Sequence, residues 1–291
     1  MTGELLKMGD GVEKVLVTGS AGMLGTELVA LLTTELEVIS ADLEQFDLTD
    51  ARATEEFVTG VSPDVVVNCA AWTDVDGAEG DEAGAREVNA AGAGTVARAA
   101  AQLGARVVQI STDYVFDGTE ERPYTEDDEP NPLGVYGRTK LEGERLVAAA
   151  APDHLIVRTA WLYGHAGGNF VEKMIELAES GRPLSVVDDQ LGAPTNARDL
   201  AGSIRDLIAV GAAGVVNATN AGSCSWFEFA REILDHSGHS GVSMEPVTSD
   251  RFPRPAPRPG YSVLSLDRLV SLTGREPRHW RDALHEYLAE R

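Results

Sequence analysis

The chain has 291 residues, of which 43% are hydrophobic and 24% charged, and this composition is typical of a globular protein with one large domain or two smaller ones. Its 47 acidic and 24 basic residues give a formal net charge of −23, which argues against nucleic acid or an anionic membrane as the main partner. A phosphate-bearing ligand remains compatible with this charge, because a few backbone amides and one or two arginines can dominate the local field.

The start of the chain and its cysteines indicate a cytoplasmic protein. The opening residues MTGELLKMGDGVEK lack the apolar segment of a signal peptide, and no apolar run approaches the roughly 20 residues that span a bilayer. Cys69 and Cys224 lie far apart in hydrophobic segments, which favours reduced thiols over a disulfide framework. We expect residues 1–12 to form a loose tail. The oligomeric state is left open, with a homodimer among the alternatives.

Short β-branched runs alternate with alanine-rich helical stretches in the first half of the chain. Helical stretches such as GTELVALLTTEL and EAGAREVNAAGAGTVARAAAQLG separate the runs. The predicted strands are KVLVTG (14–19), EVISAD (37–42), DVVVNCA (64–70), RVVQIST (106–112) and DHLIVRTAWLYG (153–164). Strands alternating with helices predict an α/β fold, a Rossmann-type doubly wound parallel sheet with helices on both faces.

The alternation weakens after about Gly164. A helical stretch NFVEKMIELAESG, another helix from Ala197 and the strand-like GVVNATN follow, and the proline-rich segment from Pro246 to Pro259 must be mostly irregular. We therefore predict a first domain over residues 13–164. Residues 165–291 would form a smaller, mainly substrate-binding part, with some of its segments returning to the first domain.

A glycine-rich turn follows the first predicted strand. Gly19, Gly22 and Gly25 have the spacing G-x-x-G-x-x-G. At a strand-to-helix turn, glycines let the backbone approach a pyrophosphate, and the helix N-terminus donates amides to it. The triplet alone is weak evidence, because turns and helix packing also require glycine. Its position after the first strand of an alternating chain nevertheless indicates a dinucleotide site.

Asp42 ends the second predicted strand, about twenty residues beyond the glycine turn. An acid there can accept hydrogen bonds from the adenosine ribose and would repel a 2′-phosphate. No Arg or Lys occurs between Val38 and Asp50 to hold such a phosphate. This favours NADH and leaves NADPH open, and the alternative is that Asp42 is a solvated loop acid.

Tyr136 and Lys140, in VYGRTKLEGE, are four residues apart and would share one face of a helix. A lysine ammonium near a phenol is expected to lower the pKa of the phenol towards working pH, and it could also hold the ribose hydroxyls of a nicotinamide cofactor. The spacing alone favours two exposed neighbours. The glycine turn and the IST sequence (110–112) at the end of the fourth predicted strand together favour a catalytic pair.

At this point the sequence resembles the extended short-chain dehydrogenase/reductases and, within them, the dTDP-4-dehydrorhamnose reductases. The resemblance extends from about Lys14 to the C-terminus, and its most specific part begins at Ser111. The matching stretches are TGSAGMLG, FDLTD, NCAAWTDVDGAE, VNAAGAGTVARAA, STDYVFDGTEERPYTEDDEPNPLGVYGRTKLEGE, RTAWLYG, VVDDQLGAPTNARDLA and SWFEFA. The resemblance implies that NADPH or NADH, bound by the first domain, reduces the C4 keto group of the nucleotide sugar dTDP-4-dehydro-L-rhamnose to give dTDP-L-rhamnose.

The resemblance also implies roles for individual residues. Tyr136 would be the general acid, Lys140 would orient the tyrosine and the cofactor, and the Thr112 hydroxyl would stabilise charge on the substrate oxygen, with Ser111 as the alternative hydroxyl. Besides Gly19, Gly25, Asp42 and the catalytic pair, the cofactor contacts would be Gly22, Met23 and Leu24 at the pyrophosphate, Asp47 and Leu48 at the adenine, and Ala71, Trp72 and Thr73 towards the nicotinamide. The sugar nucleotide would be held by Thr112, Asp113, Tyr136 and Trp161, and Asn89 would support the site from the helix behind it.

Other interpretations stay open. The chain could be another nucleotide-sugar reductase or epimerase, or a regulatory subunit that binds NAD(P) without turnover, although the intact catalytic residues argue against the last. We predict no metal site: the DHSGH sequence (235–239) has no further His or Cys at ligand spacing, and no compact acidic cluster suggests Mg²⁺. Arg258 is either a diphosphate contact or an ordinary loop residue, and Trp226 and Phe229 are expected in the core.

Overall fold

The computed structural model describes residues 11–291, so most of the predicted N-terminal tail lies outside the described residues. The strands are β1 Lys14–Thr18, β2 Glu37–Ala41, β3 Val65–Asn68, β4 Arg106–Thr112, β5 His154–Thr159, β6 Leu162–Tyr163, β7 Leu184–Val187, β8 Leu191–Gly192, β9 Thr195–Asn196, β10 Gly214–Asn217, β11 Cys224–Ser225 and β12 Met244–Val247. The helices are α1 Met23–Leu32, α2 Ala51–Val61, α3 Val75–Gly80, α4 Glu82–Arg86, α5 Ala93–Gln102, α6 Val135–Ala150, α7 Phe170–Glu179, α8 Ala197–Ala209, α9 Trp226–His236, α10 Asp267–Thr273 and α11 Trp280–Ala289.

The main sheet of the described chain has six parallel strands in the order β10-β5-β4-β3-β1-β2. After β2 forms one edge, the chain crosses back over β1 to β3 and then continues outwards through β4 and β5 to β10. β1 and β3 therefore flank the switch point, beyond whose carboxyl ends ligands bind in sheets of this kind. The predicted Rossmann-type doubly wound α/β fold is confirmed.

The strands bury both of their faces. Val15 and Val17 of β1 share a core cluster with residues of α1 and α8, whereas Leu16, which points the other way, shares a second cluster with residues of α2 and α5. This two-sided burial explains why the strands read as continuous apolar runs in the sequence. The long predicted strand 153–164 is divided into β5 and β6, because Trp161 between them has a positive φ of 46°.

The residues after Gly164 divide between the sheet and a second core. α8 packs against α1, and β10 extends the sheet beside β5. α7, α9 and α11 enclose a separate hydrophobic cluster that includes Phe229, Trp280 and Tyr287. The assignment of this C-terminal part to substrate binding stays a prediction. Among the described residues, no helix combines the length and apolar character that crossing a membrane requires.

Trp280 offers a test of the second core. Its side chain is 0% exposed and meets the ring of Phe229 edge to face, with ring centroids 5.7 Å apart. Because Trp280→Ala would leave a cavity there, we expect the free energy of unfolding, measured by urea denaturation, to fall by about 3–5 kcal/mol. Phe252→Ala is the control: that residue is 43% exposed, so its loss should cost no more than about 0.5 kcal/mol. Equal losses in the two variants would contradict this packing.

Candidate active site

The glycine turn between β1 and α1 lies at the carboxyl end of the sheet, and two of its glycines are required by close backbone contacts. Gly19 has a φ of +64°, and a Cβ on it would lie 2.6 Å from the backbone nitrogen of Ala70. A Cβ on Gly25 would lie 2.2 Å from the carbonyl oxygen of Gly19. Gly22 is exposed and begins α1 without a cap from any described side chain. The first amides of α1 are thus open to an anion, which fits a cofactor pyrophosphate.

Of the predicted adenosine contacts, Asp42 lies beside this turn. Asp42 follows β2, and its Oδ2 accepts a hydrogen bond from the amide of Ala21 at 3.0 Å, which ties the end of β2 to the glycine turn. Asp47 is exposed, and hydrogen bonds from the Thr49 amide and hydroxyl hold the pKa of its carboxyl below the usual value. Leu48 is only 6% exposed, so its side chain belongs mainly to the core.

Asn89 joins the segment after β3 to α6. Its Oδ1 accepts a hydrogen bond from the Trp72 amide at 2.8 Å, and its Nδ2 donates to the Trp72 carbonyl at 3.2 Å and to the Thr139 hydroxyl at 3.1 Å. The residue is buried in a single π-helical stretch, Glu87–Gly92, a local irregularity that is frequent at functional sites. This contact fixes residues 71–73 against the helix that carries Tyr136.

α6 carries both residues of the predicted catalytic pair. Tyr136 is partly buried near its start, and Lys140, one turn later, is 4% exposed. The Lys140 ammonium donates a hydrogen bond of 2.6 Å to the carbonyl oxygen of Ile110 on β4. The two residues therefore share a helix face that packs on the end of β4, so the exposed-neighbour interpretation is wrong.

Burial shifts the pKa values of both groups. Burial away from solvent lowers the pKa of Lys140 to about 8, although the negative charge of Glu144 acts to raise it. Loss of solvent raises the pKa of Tyr136 to about 12, and a hydrogen bond with Thr112 acts in the opposite direction. The expectation that Lys140 lowers the pKa of Tyr136 is wrong in this arrangement, because the ammonium is directed to the Ile110 carbonyl and burial dominates.

The two candidate hydroxyls at the end of β4 point to opposite sides, as successive strand residues must. The Ser111 hydroxyl donates a 2.5 Å hydrogen bond to Oε1 of Glu144 in the interior, and Arg158 donates two further bonds, of 2.9 and 2.7 Å, to the same carboxylate. The Thr112 hydroxyl lies on the Tyr136 side and contacts Asp113 Oδ1 at 3.0 Å. This geometry favours Thr112 over Ser111 as the hydroxyl that stabilises negative charge on the substrate oxygen.

Asp113 is almost fully buried beside Thr112. Its side chain is 2% exposed, and its Oδ2 has no hydrogen-bond partner among the described residues. Burial raises the pKa of this carboxyl to about 6, although a hydrogen bond from Thr112 to Oδ1 opposes the shift. An acceptor oxygen that is buried and unpaired at the edge of a site is available to a ligand donor.

Trp161 follows β5 at the same edge of the sheet. Its indole stacks on that of Trp226 with ring centroids 3.5 Å apart, and a Cβ on Gly192 would lie 2.4 Å from the Trp161 ring. A positive φ is strained for a tryptophan, and such strain is concentrated at functional sites. Trp226, which the sequence predicts in the core, is partly buried: it packs against the cluster that includes Phe229 and Trp280, and its ring also continues the aromatic surface of Trp161.

Arg258 lies in a segment that borders a small cavity beside Tyr136. Its Nη1 donates to Asp76 Oδ1 at 2.6 Å and to the Ala256 carbonyl at 2.7 Å, and its neighbours Pro257 and Pro259 line a small cavity together with Tyr136. Asp76 therefore balances the charge of Arg258, and the choice between a diphosphate contact and a structural residue stays open.

Comparison with known proteins adds to this geometry. Residues 13–291 match the family model described as the RmlD substrate binding domain. A dTDP-4-dehydrorhamnose reductase from Mycobacterium tuberculosis (strain CDC 1551 / Oshkosh) is 46% identical over 285 residues, 95% of this chain and 93% of that protein. A dTDP-4-keto-6-deoxy-D-glucose reductase from Streptomyces niveus is 43% identical over 274 residues, 94% of this chain and 95% of that protein.

A solved structure has the same fold throughout. The dTDP-4-dehydrorhamnose reductase from Bacillus anthracis str. Ames, in complex with NADP, is 38% identical and aligns with a TM-score of 0.93 over 96% of this chain and 100% of that one. The family model and these relatives span nearly the whole chain, well beyond the glycine turn that many dinucleotide-binding proteins share. The chain therefore belongs to the family of the RmlD substrate binding domain, that of the dTDP-4-dehydrorhamnose reductases.

Proposed function

We propose that the protein reduces the C4 keto group of dTDP-4-dehydro-L-rhamnose to dTDP-L-rhamnose, with NADPH or NADH as the reductant. The observation that carries the proposal is the meeting of Thr112, Tyr136 and Lys140 where α6 packs on the end of β4. A protein that only bound the cofactor would not need a buried lysine, a phenol and a hydroxyl together at this edge of the sheet.

The glycine turn fits the cofactor, since the N-terminus of α1 presents the amides of Met23 and Leu24, next to the exposed Gly22, to a pyrophosphate. The segment 71–73, held by Asn89, would lie along the nicotinamide half. When bound, the nicotinamide supplies the reducing electrons. Asp42 supports use of NADH by its negative charge near the ribose, whereas the Bacillus anthracis relative was solved with NADP. Both cofactors therefore belong in the test.

The side chains supply the proton and the electrostatic stabilisation. Tyr136, with its pKa raised to about 12, holds its proton at neutral pH and gives it to the substrate oxygen as negative charge develops there. The Thr112 hydroxyl donates a hydrogen bond that strengthens with that charge, so it stabilises the transition state more than the substrate. Lys140, one helical turn from the tyrosine, would supply a positive charge to this side of the site from its position on the Ile110 carbonyl.

The sugar nucleotide would lie against Asp113 and Trp161. The unpaired Oδ2 of Asp113 can accept a hydrogen bond from a sugar hydroxyl, and the stacked surface of Trp161 and Trp226 can cover an apolar face of the ligand. The net charge of −23 supports the prediction that nucleic acid and membranes are not partners. The cytoplasmic location and a homodimer stay predictions.

A related 4-keto hexose is the second candidate substrate. The Streptomyces niveus relative, a dTDP-4-keto-6-deoxy-D-glucose reductase, is nearly as similar to this chain as the Mycobacterium tuberculosis reductase is. The two sugars present the same keto group and differ in the rest of the ring, so the catalytic residues do not distinguish them.

The deciding experiment follows the oxidation of NADH and of NADPH, in parallel, with each of the two dTDP-4-keto sugars. We expect loss of reduced nicotinamide with dTDP-4-dehydro-L-rhamnose, and dTDP-L-rhamnose as the product. Faster turnover of the other sugar would assign the second substrate. Tight NAD(P)H binding without turnover of either sugar would instead identify a regulatory subunit.

Replacing the proposed acid should separate catalysis from binding. Tyr136→Phe removes only the proton donor, so we expect kcat to fall by about 10²–10⁴-fold while NAD(P)H affinity, measured by fluorescence titration, stays close to that of the wild type. Lys140→Ala should impair both turnover and cofactor binding, since its ammonium is assigned to both. Near-normal turnover by Tyr136→Phe would exclude the tyrosine as the acid.

The pH profile tests the charge of Lys140. Its pKa is lowered to about 8, so kcat/KM should fall on the alkaline side as pH rises through that region and the ammonium loses its proton. The Glu144 carboxylate raises this pKa; Glu144→Gln should therefore move the alkaline limb of the profile to lower pH.

Two variants serve as controls for this shift. Ser111→Ala removes a hydrogen bond to Glu144 but keeps its charge, and Glu142→Gln removes an exposed carboxylate from the same helix. Both should leave the alkaline limb in place. A limb that does not move in a folded Glu144→Gln protein would mean that Lys140 does not set it.

A further inference from the structure

Two imidazoles and a carboxylate meet where α9 faces α11, on different helices from the catalytic pair. Glu232 and His236 lie one turn apart on α9, and His285 lies on α11. Oε1 of Glu232 is 2.7 Å from Nε2 of His285 and 3.4 Å from Nδ1 of His236. The two imidazole rings stack with centroids 3.7 Å apart. One donor atom from each of the three residues lies within 4.8 Å of the others.

Although the sequence predicts no metal site, because His285 is distant from His236 along the chain, we propose that Glu232, His236 and His285 bind a divalent transition-metal ion of the zinc class, which joins α9 to α11. Two imidazole nitrogens and one carboxylate oxygen are a donor set that suits Zn²⁺, with a water in the fourth tetrahedral position. Metal–ligand bonds of about 2.0–2.2 Å place tetrahedral donors about 3.4 Å apart. The cluster therefore needs only side-chain adjustments to reach that geometry. The proposal is independent of the reductase activity.

The three ligand side chains lie on two helices whose relative position is fixed by core packing. α9 and α11 are fixed against each other by the buried aromatic contact between Phe229 and Trp280, so binding would order little backbone. The side chains are accessible to a hydrated ion, with exposures of 21% for Glu232, 44% for His236 and 38% for His285.

The positive charge of Arg281 should weaken metal binding, so its removal tests whether the affinity rises. Its Nε contacts Oε2 of Glu232 at 3.2 Å and leaves Oε1 facing the histidines, while its guanidinium carbon lies 4.5 Å over the Trp280 ring. A fixed positive charge this close to a dication weakens binding. Removing that charge should therefore strengthen metal binding. If the three residues only form hydrogen bonds with one another, removing the charge would produce no gain in metal affinity.

The experiment is calorimetric titration of the full-length, chelator-treated protein with Zn²⁺, repeated with Co²⁺ to record the absorption of a tetrahedral site. We expect one saturable site in the wild type. His285→Ala and Glu232→Gln should each weaken it by about tenfold or more, and Arg281→Met should tighten it several-fold. His239→Ala is the matched control, since it removes a nearby histidine outside the cluster and should leave the affinity unchanged.

Thermal unfolding gives a second readout. Because the metal would bind the folded protein through two helices, Zn²⁺ should raise the Tm of the wild type and leave that of His285→Ala unchanged. His285 is partly exposed, so its loss should not unfold the protein. The proposal is overturned if the wild type shows no saturable Zn²⁺ site, or if His285→Ala binds Zn²⁺ as tightly as the wild type.

Discussion

The buried ion pair between Glu144 and Arg158 is the interaction on which the geometry of the active site depends. Their side chains are 5% and 4% exposed and form two hydrogen bonds, and Ser111 adds a third to the same carboxylate. The pair thereby joins α6 to β4 and β5. Removing one partner would leave an unpaired buried charge, which typically costs about 3–5 kcal/mol. Glu144 lies one turn beyond Lys140 on α6, and Ser111, which donates to Glu144, directly precedes Thr112 on β4. The contacts of Glu144 therefore set the positions of Lys140 and Thr112.

Glycines allow α6 to approach this close to its neighbours. A Cβ on Gly137 would lie 2.1 Å from the Tyr114 carbonyl oxygen, and one on Gly143 would lie 2.1 Å from that of Asn89. A glycine inside a helix is less stable than alanine by about 1 kcal/mol, so two of them within α6 reflect tertiary contact and not helix propensity. The close approach brings Tyr136 against the turn after β4 and leaves Lys140 within reach of the Ile110 carbonyl.

The sequence predicts the features that depend on interactions between residues close together along the chain. The strands, the glycine turn and the shared face of Tyr136 and Lys140 depend on spacings of a few residues, and the structure has them, except that the predicted strand 153–164 is divided at Trp161. The stacking of Trp226 on Trp161 depends on the pairing of β8 with β11, which no local pattern indicates. The partners of Glu144 on β4 and β5, and the approach of His285 to α9, likewise arise only when the sheet and helices pack. The acceptor of the Lys140 ammonium is a backbone carbonyl thirty residues away in sequence, so local spacing does not indicate it either.

The opposite pKa shifts of Tyr136 and Lys140 suit a reduction better than the expected phenolate would. A general acid must hold its proton until the substrate oxygen becomes basic, and a buried tyrosine with its pKa raised to about 12 does so at neutral pH. An alkoxide is a stronger base than a phenolate, so the transfer is still downhill once charge has developed. The phenolate that remains then lies near an ammonium whose own pKa has been lowered to about 8, and Glu144 limits that lowering. Burial thus keeps the proton on Tyr136 until the substrate oxygen becomes basic. The Glu144 carboxylate keeps Lys140 protonated, so a positive charge is present when Tyr136 loses its proton.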